Sequence, residues 1–336
     1  MKDNPSLQAD MVVLAIGVTP DTVLAKEAGL ELGIKESIVV NDRMETSVPD
    51  IYAAGDAVQV KHYVTGNDAL ISLAGPANKQ GRIIADNICG GDSRYLGSQG
   101  SSVIKVFDMT AATTGINETN AKKSGLEVDT VILSPMSHAG YYPGGKVMTM
   151  KVVFEKDTYR LLGAQIIGYE GVDKRIDVLA TAIHAGLKAT QLKDLDLAYA
   201  PPYSSAKDPV NMAGFMIDNI AKGTLKQWHL EDMDKISKDK SVVLLDVRTV
   251  GEFNRGHMDG FKNIPVDELR ERINEIEKGK PVYLICQSGL RSYIASRILE
   301  GNGYETYNFS GGFRFYDVVV NDRVLIERSY VCGMDY

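Results

Sequence analysis

The residues best suited to chemistry lie in one short loop, Cys286-Gln287-Ser288-Gly289-Leu290-Arg291-Ser292. The apolar run Pro281-Val282-Tyr283-Leu284-Ile285 precedes it, and a helix-like segment from Ser292 to Leu299 follows. A cysteine between a buried strand and a helix N-terminus sits where backbone N–H groups converge and the helix dipole is positive. Both effects favour the thiolate, which is the nucleophilic form. Gly289 permits a tight turn that lets amides face the sulfur. Arg291 adds a fixed positive charge at the far end. The loop is therefore expected to cradle an anion carried on, or attacked by, Cys286. The competing reading is a buried structural cysteine, which is what most free cysteines are.

Loop size separates the chemistries. Four residues lie between Cys286 and Arg291. Tyrosine phosphatases place five residues there, enough for a phosphate. The shorter loop resembles rhodaneses, which hold one extra sulfur as a persulfide. The resemblance makes Cys286 the sulfur carrier and Gln287, Ser288, Gly289, Leu290 and Ser292 the persulfide loop. Val242-Val243-Leu244-Leu245-Asp246-Val247-Arg248 reads as a buried parallel strand ending in a charged turn. Glu252, Gly256-His257, Asn263-Ile264-Pro265 and Gly311-Gly312-Phe313 follow at rhodanese spacings, the last after the strand-like run Thr306 to Phe309. The likeness covers about residues 224–330. Asp246, Arg248, Glu252 and His257 read as loop ties and not as substrate contacts.

The elements that must position this loop belong to a multidomain chain. At 336 residues, two or three domains are expected. A net charge of −7 argues against a nucleic-acid surface. No apolar run approaches the ~20 residues of a membrane helix, and no signal peptide is evident. Three scattered cysteines suggest no disulfide framework and a cytoplasmic protein. No metal site is expected. Gly/Ser-rich residues near 100 and Ala221-Lys222-Gly223-Thr224 mark boundaries. They divide the chain into 1–100, 101–222 and 223–336. In the middle, Val147 to Glu155 and Tyr159 to Gly168 read as a hairpin around Lys156-Asp157-Thr158. Val172, Ile176, Leu179, Ile183 and Leu187 have helical spacing, with Gly186 as a C-cap.

Ala9 to Pro20 reads as an apolar strand that breaks at Gly and Pro, and Met11 to Val18, apolar on both faces, expects neighbours that are missing from this sequence. Further on, Thr46-Ser47-Val48-Pro49-Asp50-Ile51-Tyr52-Ala53-Ala54-Gly55-Asp56-Ala57 resembles the second flavin motif of the pyridine nucleotide-disulfide oxidoreductases. The resemblance implies that Asp56 accepts hydrogen bonds from flavin ribityl hydroxyls and that Gly55 allows close backbone approach. A helix-capping aspartate is the alternative. Leu73-Ala74-Gly75-Pro76-Ala77-Asn78-Lys79-Gln80-Gly81-Arg82 resembles the helix whose N-terminus faces the flavin ring. That implies contact through Ala74 and Ala77.

The middle segment resembles the dimerisation domain of that family, in its coenzyme A disulfide reductase and NADH oxidase branch. The tags are His138-Ala139-Gly140-Tyr141-Tyr142-Pro143-Gly144 and Asp196-Leu197-Ala198-Tyr199-Ala200-Pro201-Pro202-Tyr203-Ser204. By that resemblance, Tyr141 and Tyr199 of one subunit of a homodimer reach the active-site sulfur and bound CoA of the other. A phenol suits that task, because it can hydrogen-bond a developing thiolate without charge of its own. Packing at an interface is the alternative. His138 and His184 read as ordinary loop and helix residues.

The expected fold class is thus α/β and α+β multidomain. It comprises a remnant of an FAD/NAD(P)-binding α/β domain, an α+β dimerisation domain, and a rhodanese-like, doubly wound parallel α/β domain. The chain contains no Gly-x-Gly-x-x-Gly. Cys89 sits at a helix end, outside the family's redox context. Residue 1 aligns deep inside the family, so the chain is expected to be the C-terminal portion of a larger enzyme. That enzyme would be a flavin-dependent CoA-disulfide or CoA-persulfide (polysulfide) reductase using FAD, NAD(P)H and coenzyme A, with a persulfide on Cys286. This chain alone would keep sulfur transfer and lack the reductase reaction. Three rivals stay open: a plain sulfurtransferase, an NADH oxidase-like reductase with an accessory rhodanese, and a non-catalytic dimerising module. Cys332 reads as an incidental thiol on a loose terminus.

Overall fold

A computed structural model describes residues 8–329, so Cys332 lies outside the described residues. The chain separates into two compact units, one ending at Ser98 and one beginning at Gln99.

The first unit is built mostly of turns. It holds α1 (Val23–Glu27), a two-stranded ribbon of β1 (Val60–Lys61) and β2 (Asp68–Ala69), and α2 (Ala74–Ile88). Met44, Val58 and Val60 form its small core, with Ile83 and Ile84 of α2 packed on it. The Asn87 side chain donates to the carbonyls of Arg43 and Ser93 at 3.0 and 2.9 Å, and so ties the helix end to two loops. Here the expectation of a strand over Ala9 to Pro20 is corrected. No ladder forms along it, and Met11, Val12, Val13, Leu14, Ile16 and Val18 are all exposed. A strand exists only by pairing, and no described segment of this unit runs alongside it.

The second unit carries two sheets. The first is antiparallel, in the order β3 (Ser102–Val106), β4 (Met109–Gly115), β7 (Leu161–Gly168), β6 (Met148–Glu155), β5 (Val128–Leu133). The hairpin of β6 and β7 turns where predicted, and α3 (Glu118–Lys123) bridges β4 to β5. Next, α4 (Val172–His184) buries Val172, Ile176, Leu179 and Ile183 at helical spacing. It stops where Gly186 takes φ +70° and Leu187 N–H returns to the Ala182 carbonyl at 3.0 Å. The following α5 (Pro209–Ala221) starts with proline at its first position and the Asp208 carboxylate capping Val210 N–H at 3.0 Å.

The second sheet is wholly parallel. Its order is β10 (Lys262–Asn263), β9 (Val243–Asp246), β11 (Val282–Ile285), β12 (Thr306–Phe309), β8 (Gln227–Trp228). It is flanked by α6 (Met233–Ile236), α7 (Val250–Arg255), α8 (Leu290–Glu300) and α9 (Gly312–Ser329). Leu245, Leu284 and Cys286 enter one core with Ala295 and Leu299 of α8. Ile285 and Phe309 enter the other with Trp228, Met258 and Phe313. Successive residues of β11 thus feed opposite faces, so the strand must be apolar throughout. That is the doubly wound arrangement expected of this segment, and it delivers Cys286 to the C-terminal end of the central strand.

Candidate functional site

Strand β11 ends at Ile285, and α8 begins at Leu290 after Gly289 takes φ +98°, a conformation that favours glycine. The chain between them folds around the Cys286 sulfur. The Gly289 N–H donates to Sγ at 3.1 Å, and the Ser292 hydroxyl lies 3.2 Å from it. The expected ring of amides is therefore one amide plus one hydroxyl. Cys286 is 1% exposed, so its side chain belongs to the core as well as to the loop.

Arg291 makes a contact that the sequence reading did not include. Its guanidinium forks onto the Glu252 carboxylate of α7, with Nη1 and Nη2 each donating at 2.7 Å. That ion pair pins α8 to α7, and the Arg291 charge still acts through space on Cys286. Glu252 also accepts from Thr249 N–H and Oγ1 in a capping box. Arg291, opposed by burial and helped by Thr249, holds the Glu252 carboxyl down to about 2. Sequence reasoning placed Glu252 among loop ties; its pairing with the loop arginine makes it part of the site's framework.

Arg248 and Asp246 form a buried pair at 2.7 Å. Arg248 also donates to Gly256 O at 2.8 Å, and its guanidinium covers the Phe313 ring at 3.8 Å. The Asn263 amide donates to the carbonyls of Asp246 and Arg248. His257 stacks on Phe253 at 3.9 Å and faces solvent. Asp246 and Arg248 are loop ties, as read from the sequence, whereas the contacts of His257 are with Phe253 of α7.

A second strap supports the cysteine from behind. Phe313 N–H donates to Cys286 O at 2.8 Å and Arg314 N–H to Gln287 O at 3.2 Å. A Cβ on Gly312 would lie 2.7 Å from the Gln287 carbonyl oxygen, so only glycine lets the two loops close. The strap's first residue, Ser310, accepts the Ile132 N–H of β5 at 3.0 Å. Beside it, Asp129 of β5 receives Gln227 and His229. The parallel sheet is thereby docked on the free edge of the antiparallel one.

In the antiparallel-sheet region, the structure brings together two tyrosines that lie far apart in sequence. The hydroxyls of Tyr141 and Tyr199 are 2.8 Å apart, and both side chains face solvent. The shared hydrogen bond raises the Tyr199 pKa above its ordinary value. Arg175, missed in the sequence, organises this neighbourhood. It is 1% exposed, pairs with Asp208 at 3.0 Å, and donates to Ser137 O at 2.9 Å and Ser204 Oγ at 3.1 Å. An arginine at a core position of an otherwise apolar helical stripe was the available signal. A cleft of about 500 Å³ opens beside it, lined by Lys174, Tyr199, Pro202 and Tyr203. His138 is buried against Tyr142 and hydrogen-bonds a neighbouring carbonyl.

In the first unit, Gly55 and Asp56 form a single helical turn against the start of α2. Gly55 has φ +80°, and its N–H donates to Gln80 of α2 at 2.7 Å. The Asp56 carboxylate is exposed. No side chain caps the first turn of α2. Ala77 N–H donates to Leu73 O at 3.2 Å and Pro76 has no N–H, so the backbone donors of Ala74 and Gly75 are the uncapped ones. An exposed carboxylate beside an uncapped helix N-terminus fits a ligand that offers both hydroxyl donors and an electron-rich ring.

Among the described residues no helix is long and apolar enough to cross a membrane. Family comparison places pyridine nucleotide-disulphide oxidoreductase on residues 1–81, the dimerisation domain of that family on 101–209, and a rhodanese-like domain on 229–316. A Pyrococcus furiosus protein named NAD(P)H sulfur oxidoreductase (CoA-dependent) is 38% identical over 208 residues, covering 62% of this chain and 47% of the relative. The crystal structure of reduced Bacillus anthracis CoADR-RHD superposes with a TM-score of 0.91 at 48% identity, over 94% of this chain and 57% of that one. A NAD-dependent persulfide reductase from A. fulgidus gives 0.84 at 42% identity, over 92% and 56%. The chain thus spans about half the length of the relatives it matches.

Proposed function

We propose that this chain, which carries pyridine nucleotide-disulphide oxidoreductase domains and a rhodanese-like domain, serves flavin-dependent reduction of CoA disulfides or CoA persulfides. Cys286 is its sulfur carrier. The observation behind this reading is the convergence of Gly289 N–H and the Ser292 hydroxyl on one sulfur atom at the end of a parallel strand. Two donors aimed at sulfur stabilise a negative charge there. In the forward step the Cys286 thiolate attacks the outer sulfur of a persulfide. The donor's S–S bond breaks, the donor leaves as a thiolate, and Cys286 carries the persulfide. An acceptor thiolate then takes the outer sulfur and returns Cys286 to its starting state. Gln287, Ser288 and Leu290 complete the loop around the added atom.

In the reductase half, Asp56 and Gly55, with Ala74 and Ala77, would hold the flavin. When bound, FAD passes electrons from NAD(P)H to sulfur. Residues 101–222 form the homodimer contact, and Tyr141 with Tyr199 would hydrogen-bond the CoA thiolate of the partner's site. Three scattered cysteines suit the cytoplasm.

Burial of Cys286 favours a second reading, a non-catalytic dimerising module. Sulfurtransfer from polysulfide by this chain decides between them. Wild-type activity that vanishes in Cys286→Ser supports the carrier; activity that survives the substitution refutes it. Iodoacetamide labelling of Cys286 at near-neutral pH is the companion measurement. A thiol that never labels leaves the module.

A further inference from the structure

Asn308 is the one amide in a strand that is otherwise core. It is 4% exposed in β12, between Tyr307 and the buried Phe309. Its backbone N–H is used in the sheet, donating to Lys226 O at 2.9 Å. Its side-chain Nδ2 donates to the Gly289 carbonyl at 3.1 Å, whereas its Oδ1 has no partner. A buried amide oxygen without a partner is costly, so the donated bond must return something. The reversed amide would set Oδ1 against the Gly289 oxygen, two acceptors facing each other, so the orientation is fixed.

The Gly289 carbonyl has two lone pairs. One accepts Tyr293 N–H of α8 at 3.1 Å and the other accepts Asn308. The Ser292 hydroxyl lies 3.1 Å from this same oxygen and 3.2 Å from the Cys286 sulfur, and it has a single proton to give. With both lone pairs of Gly289 filled, the sulfur is the acceptor left for that proton.

We propose that Asn308 is a positioning residue for the sulfur carrier: by saturating the Gly289 carbonyl, it directs the Ser292 hydroxyl onto Cys286. Without the amide, Ser292 bonds back to Gly289 as helical serines commonly do, and the sulfur keeps only the Gly289 N–H. The charged groups around the loop are the Arg291–Glu252 and Arg248–Asp246 pairs, with Arg255, Arg314 and Asp317. The Asn308 side chain hydrogen-bonds Gly289 O and none of these groups, so its substitution leaves those pairs intact.

This rests on the reading of Cys286 as a carrier, and the test separates the two. Alkylation by iodoacetamide is followed on the Cys286 peptide by mass spectrometry, from about pH 5 to about pH 9, in Asn308→Leu with and without Ser292→Ala. Loss of one hydrogen bond to a thiolate should slow alkylation near pH 7 roughly fivefold to tenfold. The profile should move to higher pH and reach the same plateau. In the Ser292→Ala background, Asn308→Leu should add less than about twofold, because the proton it steers is gone. An unmoved profile, or an equal displacement in both backgrounds, overturns the proposal while the carrier reading stands. A wild-type Cys286 that never alkylates removes the carrier and the proposal together. Thermal melting checks folding, and Asn308→Ala carries the same test if the leucine is not accommodated.

Discussion

The Glu252–Arg291 pair makes a prediction whose size and pH dependence both follow from geometry. Two donated bonds of 2.7 Å and the Thr249 cap hold the Glu252 carboxyl at about 2, against an ordinary 4.5. At about 1.4 kcal/mol per tenfold of proton affinity, that gap bounds the contribution at about 3 kcal/mol. The side chains are 22% and 31% exposed, and solvent screening brings the expectation to about 1–2 kcal/mol. A carboxyl depressed in the folded state stabilises it above the unfolded-state pKa. That stability drains away as pH falls from about 4.5 through about 2. Glu252→Gln should therefore cost about 1–2 kcal/mol at pH 7. The wild-type advantage should shrink below about pH 4.5 and be nearly gone near pH 2. Urea melts of both proteins at several pH values, followed by Trp228 fluorescence in the parallel-sheet core, provide the measurement. A difference that stays constant from neutral to acid would mean that the carboxylate charge is irrelevant, and the reasoning would fail.

Two other substitutions probe the supports of the candidate sites. Gly312→Ala places a methyl 2.7 Å from Gln287 O at φ +69°, so it should cost about 2–4 kcal/mol and disturb Cys286 labelling. Unchanged melting and labelling would show that the strap does not constrain the loop. Asp208→Asn keeps an N-cap but strands the buried Arg175. It should cost about 3–5 kcal/mol in urea, and a loss under about 1 kcal/mol would mean that solvent reaches Arg175.

Much of this was legible in the chain because it is encoded locally. Cys286, Gly289 and Arg291 lie within one turn of each other, and the run Pro281–Ile285 before them can only be a buried strand. Helix α4 showed its core stripe at regular spacing and its stop at Gly186. Tyr141 and Tyr199 were singled out from two separate motifs, and their hydroxyls turn out to share a hydrogen bond. The Ala9 to Pro20 strand was misread for the converse reason. Its apolar pattern is local, but a strand needs a neighbour, and the neighbours already expected to be missing are not found among the described residues of this unit.

By itself, then, the sequence determined most of the elements, their order and the loop that holds Cys286, because periodicity and loop chemistry are properties of adjacent residues. Only the tertiary structure decided which groups meet. Arg291 turned to a carboxylate 39 positions away, and Ser310 to an edge amide 178 positions away. Asn308 reached a glycine carbonyl from a different strand. Such contacts are set by which donors and acceptors remain unsatisfied once the sheets have packed, and that inventory exists only in three dimensions.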